Sequence, residues 1–175
     1  MIERVRLTSR IDGFTLTALK ATPASAPLGG VVVLQEIFGL SDHIADLCTV
    51  FADAGYAAIA PSLFDRVEPD FSAGHDQDGV RKGIGAVMAS PWPQVVSDAQ
   101  AAIDALDGPA YVTGFCYGGA ATWMAAAHCT GLKAASCFYG RLIGDLTDNT
   151  PKIPVMLHYG ARDPSIPPEN YERVR

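Results

Sequence analysis

The sequence predicts an α/β fold: a mostly parallel sheet with helices on both faces and an antiparallel hairpin at its N-terminal edge. Three observations carry this. From residue 30 onward, short apolar runs alternate with helical patterns, as parallel strands joined by helical crossovers do. Two of those runs, Gly30-Val31-Val32-Val33-Leu34 and Tyr56-Ala57-Ala58-Ile59-Ala60, hold no charge, which suits strands buried on both faces. Before them, two strand-like segments at 3–8 and 14–19 flank Asp12-Gly13, a hairpin signal.

The elements follow in order. Residues 22–30 form a loop. The run ending at Leu34 is followed by Gln35-Glu36-Ile37-Phe38-Gly39-Leu40, and Ser41 or Asp42 then caps a helix whose apolar positions are Ile44, Leu47, Val50 and Phe51. Gly55 ends that helix, and the strand at 56–60 is expected to stop at Pro61. Residues 65–79 read as a polar loop. A short helix is expected over 80–88, weakened by Gly83 and Gly85. Pro91-Trp92-Pro93 breaks the chain. Val95, Val96, Ala99, Ala102, Ile103 and Leu106 then make one face of a helix over 94–106. A strand at 110–113, a helix to about Cys129, strands at 133–139 and 154–158, and a final helix opened by Pro167-Pro168 and running to Arg175 complete the reading.

Composition narrows the function. Apolar residues make up 49% of 175, so the chain can bury one sizeable core in a single domain, residues 1–175. A formal net charge of −6 argues against nucleic acid and anionic membranes as partners. No apolar run reaches transmembrane length, and Met1-Ile2-Glu3-Arg4-Val5-Arg6 does not resemble a signal peptide. Cys48, Cys116, Cys129 and Cys137 show neither C-x-x-C nor Cys/His ligand spacing, so no zinc site and no disulfide framework is expected, and a cytoplasmic setting is.

The stretch with most chemistry is Gly114-Phe115-Cys116-Tyr117-Gly118-Gly119. It joins a β-favouring run to an alanine-rich helical one, placing a thiol on a sharp strand-to-helix turn, the nucleophile-elbow pattern with cysteine in the serine position. Glycines two residues to either side let strand and helix approach closely. The Tyr117 N–H, at the start of the helix, is placed to donate to a developing oxyanion. A free cysteine is more often a buried structural residue; the glycine frame turns that reading toward a nucleophile. Glu36, Cys116 and Asp163 each follow the C-terminal end of a predicted strand, the edge at which open α/β sheets bind ligands. Taken singly, Glu36 serves equally well as a helix-entry carboxylate, Asp163 before Pro164 as a turn residue and Arg81 as a solvated charge. Tyr56, Trp92, Trp123 and Tyr139 read as core or pocket wall, and His43, His75, His128 and His158 take no role.

Three motifs in order, Gln35-Glu36-Ile37-Phe38-Gly39, the Cys116 elbow and Gly160-Ala161-Arg162-Asp163-Pro164-Ser165-Ile166-Pro167, resemble the dienelactone hydrolase (carboxymethylenebutenolidase) family of α/β-hydrolases. The resemblance implies an α/β-hydrolase fold and cleavage of a small ester or lactone through a cysteine thioester. It implies no cofactor and a monomer. Cys116 matches the nucleophile, Asp163 the triad acid, Glu36 a carboxylate beside the thiol, the N–H groups of Ile37 and Tyr117 the oxyanion hole, and Arg81 a substrate-binding position. A cysteine elbow also suits glutamine amidotransferase and redox proteins, and the Gln35–Gly39 motif argues against both. Such a hydrolase needs a histidine after the acid to carry protons. Only 12 residues follow Asp163 and none is histidine. The domain is therefore expected to be incomplete at its C-terminus, with the histidine beyond Arg175. An exposed apolar patch or edge should mark the missing elements. As it stands, the chain is expected to be either a loaded nucleophile without its base or a non-catalytic scaffold.

Overall fold

The computed structural model describes residues 2–174; the expected helical position of Arg175 lies outside them. Seven strands form one sheet: β1 (Ile2–Thr8), β2 (Thr15–Ala21), β3 (Gly30–Leu34), β4 (Ala57–Pro61), β5 (Ala110–Phe115), β6 (Leu132–Phe138) and β7 (Val155–His158). Five α-helices accompany them: α1 (Asp42–Asp53), α2 (Gln77–Met88), α3 (Trp92–Asp104), α4 (Tyr117–His128) and α5 (Pro168–Glu172). The strand order is β1-β2-β4-β3-β5-β6-β7. β1, β2 and β4 pair antiparallel in sequence, and every pair from β4 through β3, β5 and β6 to β7 is parallel. The expected hairpin and mostly parallel sheet are both present.

Alternation along β3 divides the core. Val31 and Val33 turn to one face, where they join Ile44, Cys48 and Ala52 of α1. Val32 and Leu34 turn to the other, where they join Val95, Ala99 and Ala102 of α3 and Ala121 and Ala125 of α4. Helix α4 is buried on almost every side, because its alanines let it lie close to both β5 and β6. On the α1 face, the far half of the sheet carries an open apolar groove of about 590 Å3, walled by Phe51, Tyr56, Tyr111, Phe138 and Met156. Met156 there is 62% exposed although it sits in a strand.

Several boundaries differ from the sequence-based expectation. Val50 is 60% exposed, and Cys48 fills the α1 face instead. Helix α2 begins at Gln77, three residues early, because the Asp76 carboxylate accepts a hydrogen bond from the Gly79 N–H at 2.7 Å and caps it. β4 ends at Pro61, which belongs to the strand as its last residue, opposite Ala18 of β2. Residues 141–145, expected as loop, form a 3₁₀ turn (Arg141–Asp145). Helix α5 starts as expected, with Pro167 as N-cap and Pro168 at the first position.

Candidate active site

Leaving β5, the chain turns at Cys116 with φ 53° and ψ −113° and enters α4 immediately. A non-glycine residue rarely adopts such a positive φ, so the surrounding structure must enforce it. The glycines show how. A Cβ on Gly118 would lie 2.1 Å from the Leu34 carbonyl oxygen, and one on Gly114 would lie 2.1 Å from that of Gly118. The elbow is thus wedged against the end of β3 with no room for a methyl group. The Cys116 N–H is held by the Phe138 carbonyl at 3.0 Å, which ties the turn to β6.

The thiol is half-buried. Burial pushes its pKa above the ordinary thiol value, and the negative charges of Glu36 and Asp163 add to this, while a hydrogen bond from the Tyr117 N–H opposes them. Both expected carboxylates therefore lie close enough to act on the thiol. Cys48, Cys129 and Cys137 differ from it: each is buried, and burial pushes each up to about 12. Cys116 alone among the four cysteines is partly open to solvent.

Glu36 sits two residues past β3 and is half-buried. The loop that carries it is fixed from both sides. The Gln35 side chain is fully buried and accepts from the Leu63 N–H at 3.2 Å. Gly39, at φ 84°, bridges to Ser72, and a Cβ on Gly83 of α2 would lie 2.4 Å from the Ile37 carbonyl oxygen. With that carbonyl turned to α2, the Ile37 N–H forms no backbone hydrogen bond among the described residues.

Asp163 lies in the loop between β7 and α5, where its carboxylate accepts from the Ser165 N–H at 2.8 Å and from the Ser165 hydroxyl at 2.6 Å. Those two bonds hold its pKa below the ordinary value. Arg81 is exposed and pairs with Asp78 one turn earlier on α2, so the structure does not bring it to Cys116. The four histidines are engaged elsewhere. His158 bonds to the Ser136 hydroxyl at 3.1 Å and stacks on Phe138, His128 bonds to Asn149, His75 packs at a tilt against Phe38, and His43 lies edge-on to Phe115. Among the described residues, no three His, Cys, Asp or Glu side chains gather as a metal site, and no helix is long and apolar enough to cross a membrane.

One residue was missed by sequence reasoning. Tyr139, expected only as core or pocket wall, donates its phenol O–H to Glu36 Oε1 at 3.4 Å. Its own φ is 40°, the second strained non-glycine residue at this edge. The sequence reading made it the last residue of the strand at 133–139, whereas β6 ends at Phe138 and leaves Tyr139 on the turn beyond it.

The family model of the dienelactone hydrolase family matches residues 16–175. A Salmonella typhimurium protein named "Putative carboxymethylenebutenolidase" is 40% identical over 172 residues, covering 89% of this chain and 62% of that protein. An Escherichia coli K12 protein of the same name is 39% identical over 182 residues, covering 94% of this chain and 66% of that protein. The chain thus spans a little under two thirds of the length of these relatives. Among solved structures, one described as a putative dienelactone hydrolase from Klebsiella pneumoniae superposes with a TM-score of 0.76 at 32% identity, covering 99% of this chain and 79% of that one.

Proposed function

The chain belongs to the dienelactone hydrolase family, and from that premise we propose that it cleaves a small ester or lactone, of the carboxymethylenebutenolide kind, through a thioester on Cys116. The observation that carries the reading is the Cys116 elbow itself: a strained, half-buried thiol on the turn that opens α4, with the charge of Glu36 acting on it. Strain of this sort persists at functional sites because the fold over-determines it.

The chemistry follows from these positions. The resting thiol is neutral, because burial and two nearby carboxylates disfavour a third negative charge. When an acyl carbon approaches, the sulfur attacks it, and Glu36 takes the thiol proton as the S–C bond forms. The carbonyl oxygen becomes an oxyanion held by the N–H groups of Ile37 and Tyr117, the latter at the positive end of α4. The C–O bond then breaks, the leaving oxygen recovers a proton, and a thioester remains on Cys116. Hydrolysis of the thioester needs a base to activate water, and Asp163 is the acid that would orient a histidine for it. Among the described residues no histidine bonds to Asp163, so acyl transfer to Cys116 is the step these residues carry on their own. Arg81 serves a substrate carboxylate only by leaving Asp78. Action as a monomer in the cytoplasm accompanies this reading.

The test is pre-steady-state release of p-nitrophenolate from p-nitrophenyl acetate, run beside a dienelactone. The expected result is a burst of one product per chain, lost in Cys116→Ala. An undiminished burst in Cys116→Ala would overturn the proposal.

A further inference from the structure

Among the described residues, three non-glycine residues have positive φ: Asp70, Cys116 and Tyr139. Asp70 is a surface residue paired with Arg4. The other two follow adjacent parallel strands, β5 and β6, and face the same carboxylate. Two strained turns converging on one group call for a reason, since each costs on the order of 1–3 kcal/mol.

Tyr139 is held at its backbone. Its N–H donates to the His158 carbonyl at 2.8 Å, and its carbonyl accepts from the Arg141 N–H at 3.0 Å. The left-handed turn between these bonds aims the phenol at Glu36, 103 positions earlier in the chain. The groups acting on the phenol are Glu36 from the loop after β3 and Cys116 from the elbow; Asp163, from the loop after β7, also acts on that thiol. Among the described residues Glu36 and Asp163 form no salt bridge; Arg81 is paired with Asp78 and Lys82 with Glu68. Among the described residues, the phenol is the only side-chain donor on the Glu36 carboxylate. Burial, with the charges of Glu36 and Cys116, pushes it up to about 12, so it keeps its proton throughout the neutral range and remains a donor.

We propose that Tyr139 is a positioning residue for the Glu36–Cys116 pair, its phenol O–H holding the Glu36 carboxylate and damping the charge it presents to the thiol. Without that donor the carboxylate turns to the thiol as its only partner, which stabilises S–H and disfavours the thiolate. The inference rests on Glu36 acting on Cys116, as the function proposed above also requires. Its readout needs no ester and no turnover.

The test is the pH profile of Cys116 alkylation by iodoacetamide, followed by mass spectrometry in four proteins: wild type, Tyr139→Phe, Glu36→Gln and the double variant. Tyr139→Phe should move the profile to higher pH and slow alkylation at pH 8 by about threefold to tenfold, the size of an ordinary net hydrogen-bond contribution. In the Glu36→Gln background the same change should do nothing. An unmoved profile in Tyr139→Phe, or an equal shift with and without the Glu36 carboxylate, overturns the proposal. Should Tyr139→Phe fail to fold, 3-fluorotyrosine at position 139 keeps the ring and strengthens the donor; alkylation must then quicken, and a slower or unchanged rate is contrary. Failure of the hydrolase reading shows up separately, as a missing p-nitrophenolate burst with the alkylation coupling intact.

Discussion

The loops after β5 and after β7 each deliver one acidic group to the same sheet edge, and they are held in opposite ways. After β5, Cys116 is clamped by backbone: Gly114 and Gly118 leave no room for a Cβ, and the following helix is buried nearly all round. After β7, the Asp163 carboxylate is held by one neighbour, Ser165, two residues away, and the following helix has five residues and no buried side chain. The difference teaches where the geometry of this site resides. The thiol's position is a property of the sheet and core, whereas the carboxylate's position is a property of a local turn.

The sharpest way to break that contrast is a methyl group on each side. Gly118→Ala sets a Cβ against the carbonyls of Leu34 and Gln35, main-chain atoms that cannot swing aside. It should cost about 3 kcal/mol or more of unfolding free energy in a urea titration. Gly160→Ala, in the Asp163 loop, meets nothing nearer than the Asp163 Cβ at 3.5 Å. It should stay within about 0.5 kcal/mol of wild type. Equal costs would refute the distinction.

Removing charge should give the next largest effect. Cys116 is pushed up by burial first, and Glu36 acts on it more strongly than Asp163 does. Because a negative neighbour favours the neutral thiol, Glu36→Gln should move the alkylation profile of Cys116 to lower pH, and Asp163→Asn should move it the same way by less. A profile that rises in Glu36→Gln, or responds more to Asp163→Asn, would contradict the placement of the two carboxylates. The smallest effect belongs to Ser165→Ala. It removes the hydroxyl donor and leaves the N–H donor, so the Asp163 carboxyl should titrate closer to the ordinary range in an NMR titration while the thiol profile stays fixed.

The same contrast explains what could be read from the sequence. The elbow was legible because its constraints are local: glycines two residues either side of a thiol, between a β-favouring run and an alanine-rich helix, admit few other structures. The hairpin and the buried strands were legible from alternation and unbroken apolar runs. Tyr139 was not, because its contact with Glu36 spans 103 positions and depends on β3, β5 and β6 lying side by side. The early start of α2 was hidden by its glycines, which lowered the helical signal although Asp76 supplied a cap and Gly83 was needed against Ile37. Val50 was misplaced because apolar character alone does not choose between adjacent positions on an amphipathic helix, and the smaller Cys48 fits the sheet. Arg81 was placed near the site by resemblance, and its side chain pairs along its own helix with Asp78 instead.

The most direct test of the central claim is to find where an acyl group lands. The protein is mixed with p-nitrophenyl acetate, quenched in acid within the burst and digested, and the acetylated peptide is identified by mass spectrometry. The account predicts one thioester, on Cys116, with Cys48, Cys129 and Cys137 untouched in their buried positions. Acetyl found on another cysteine or spread among lysines, with none on Cys116, would contradict it.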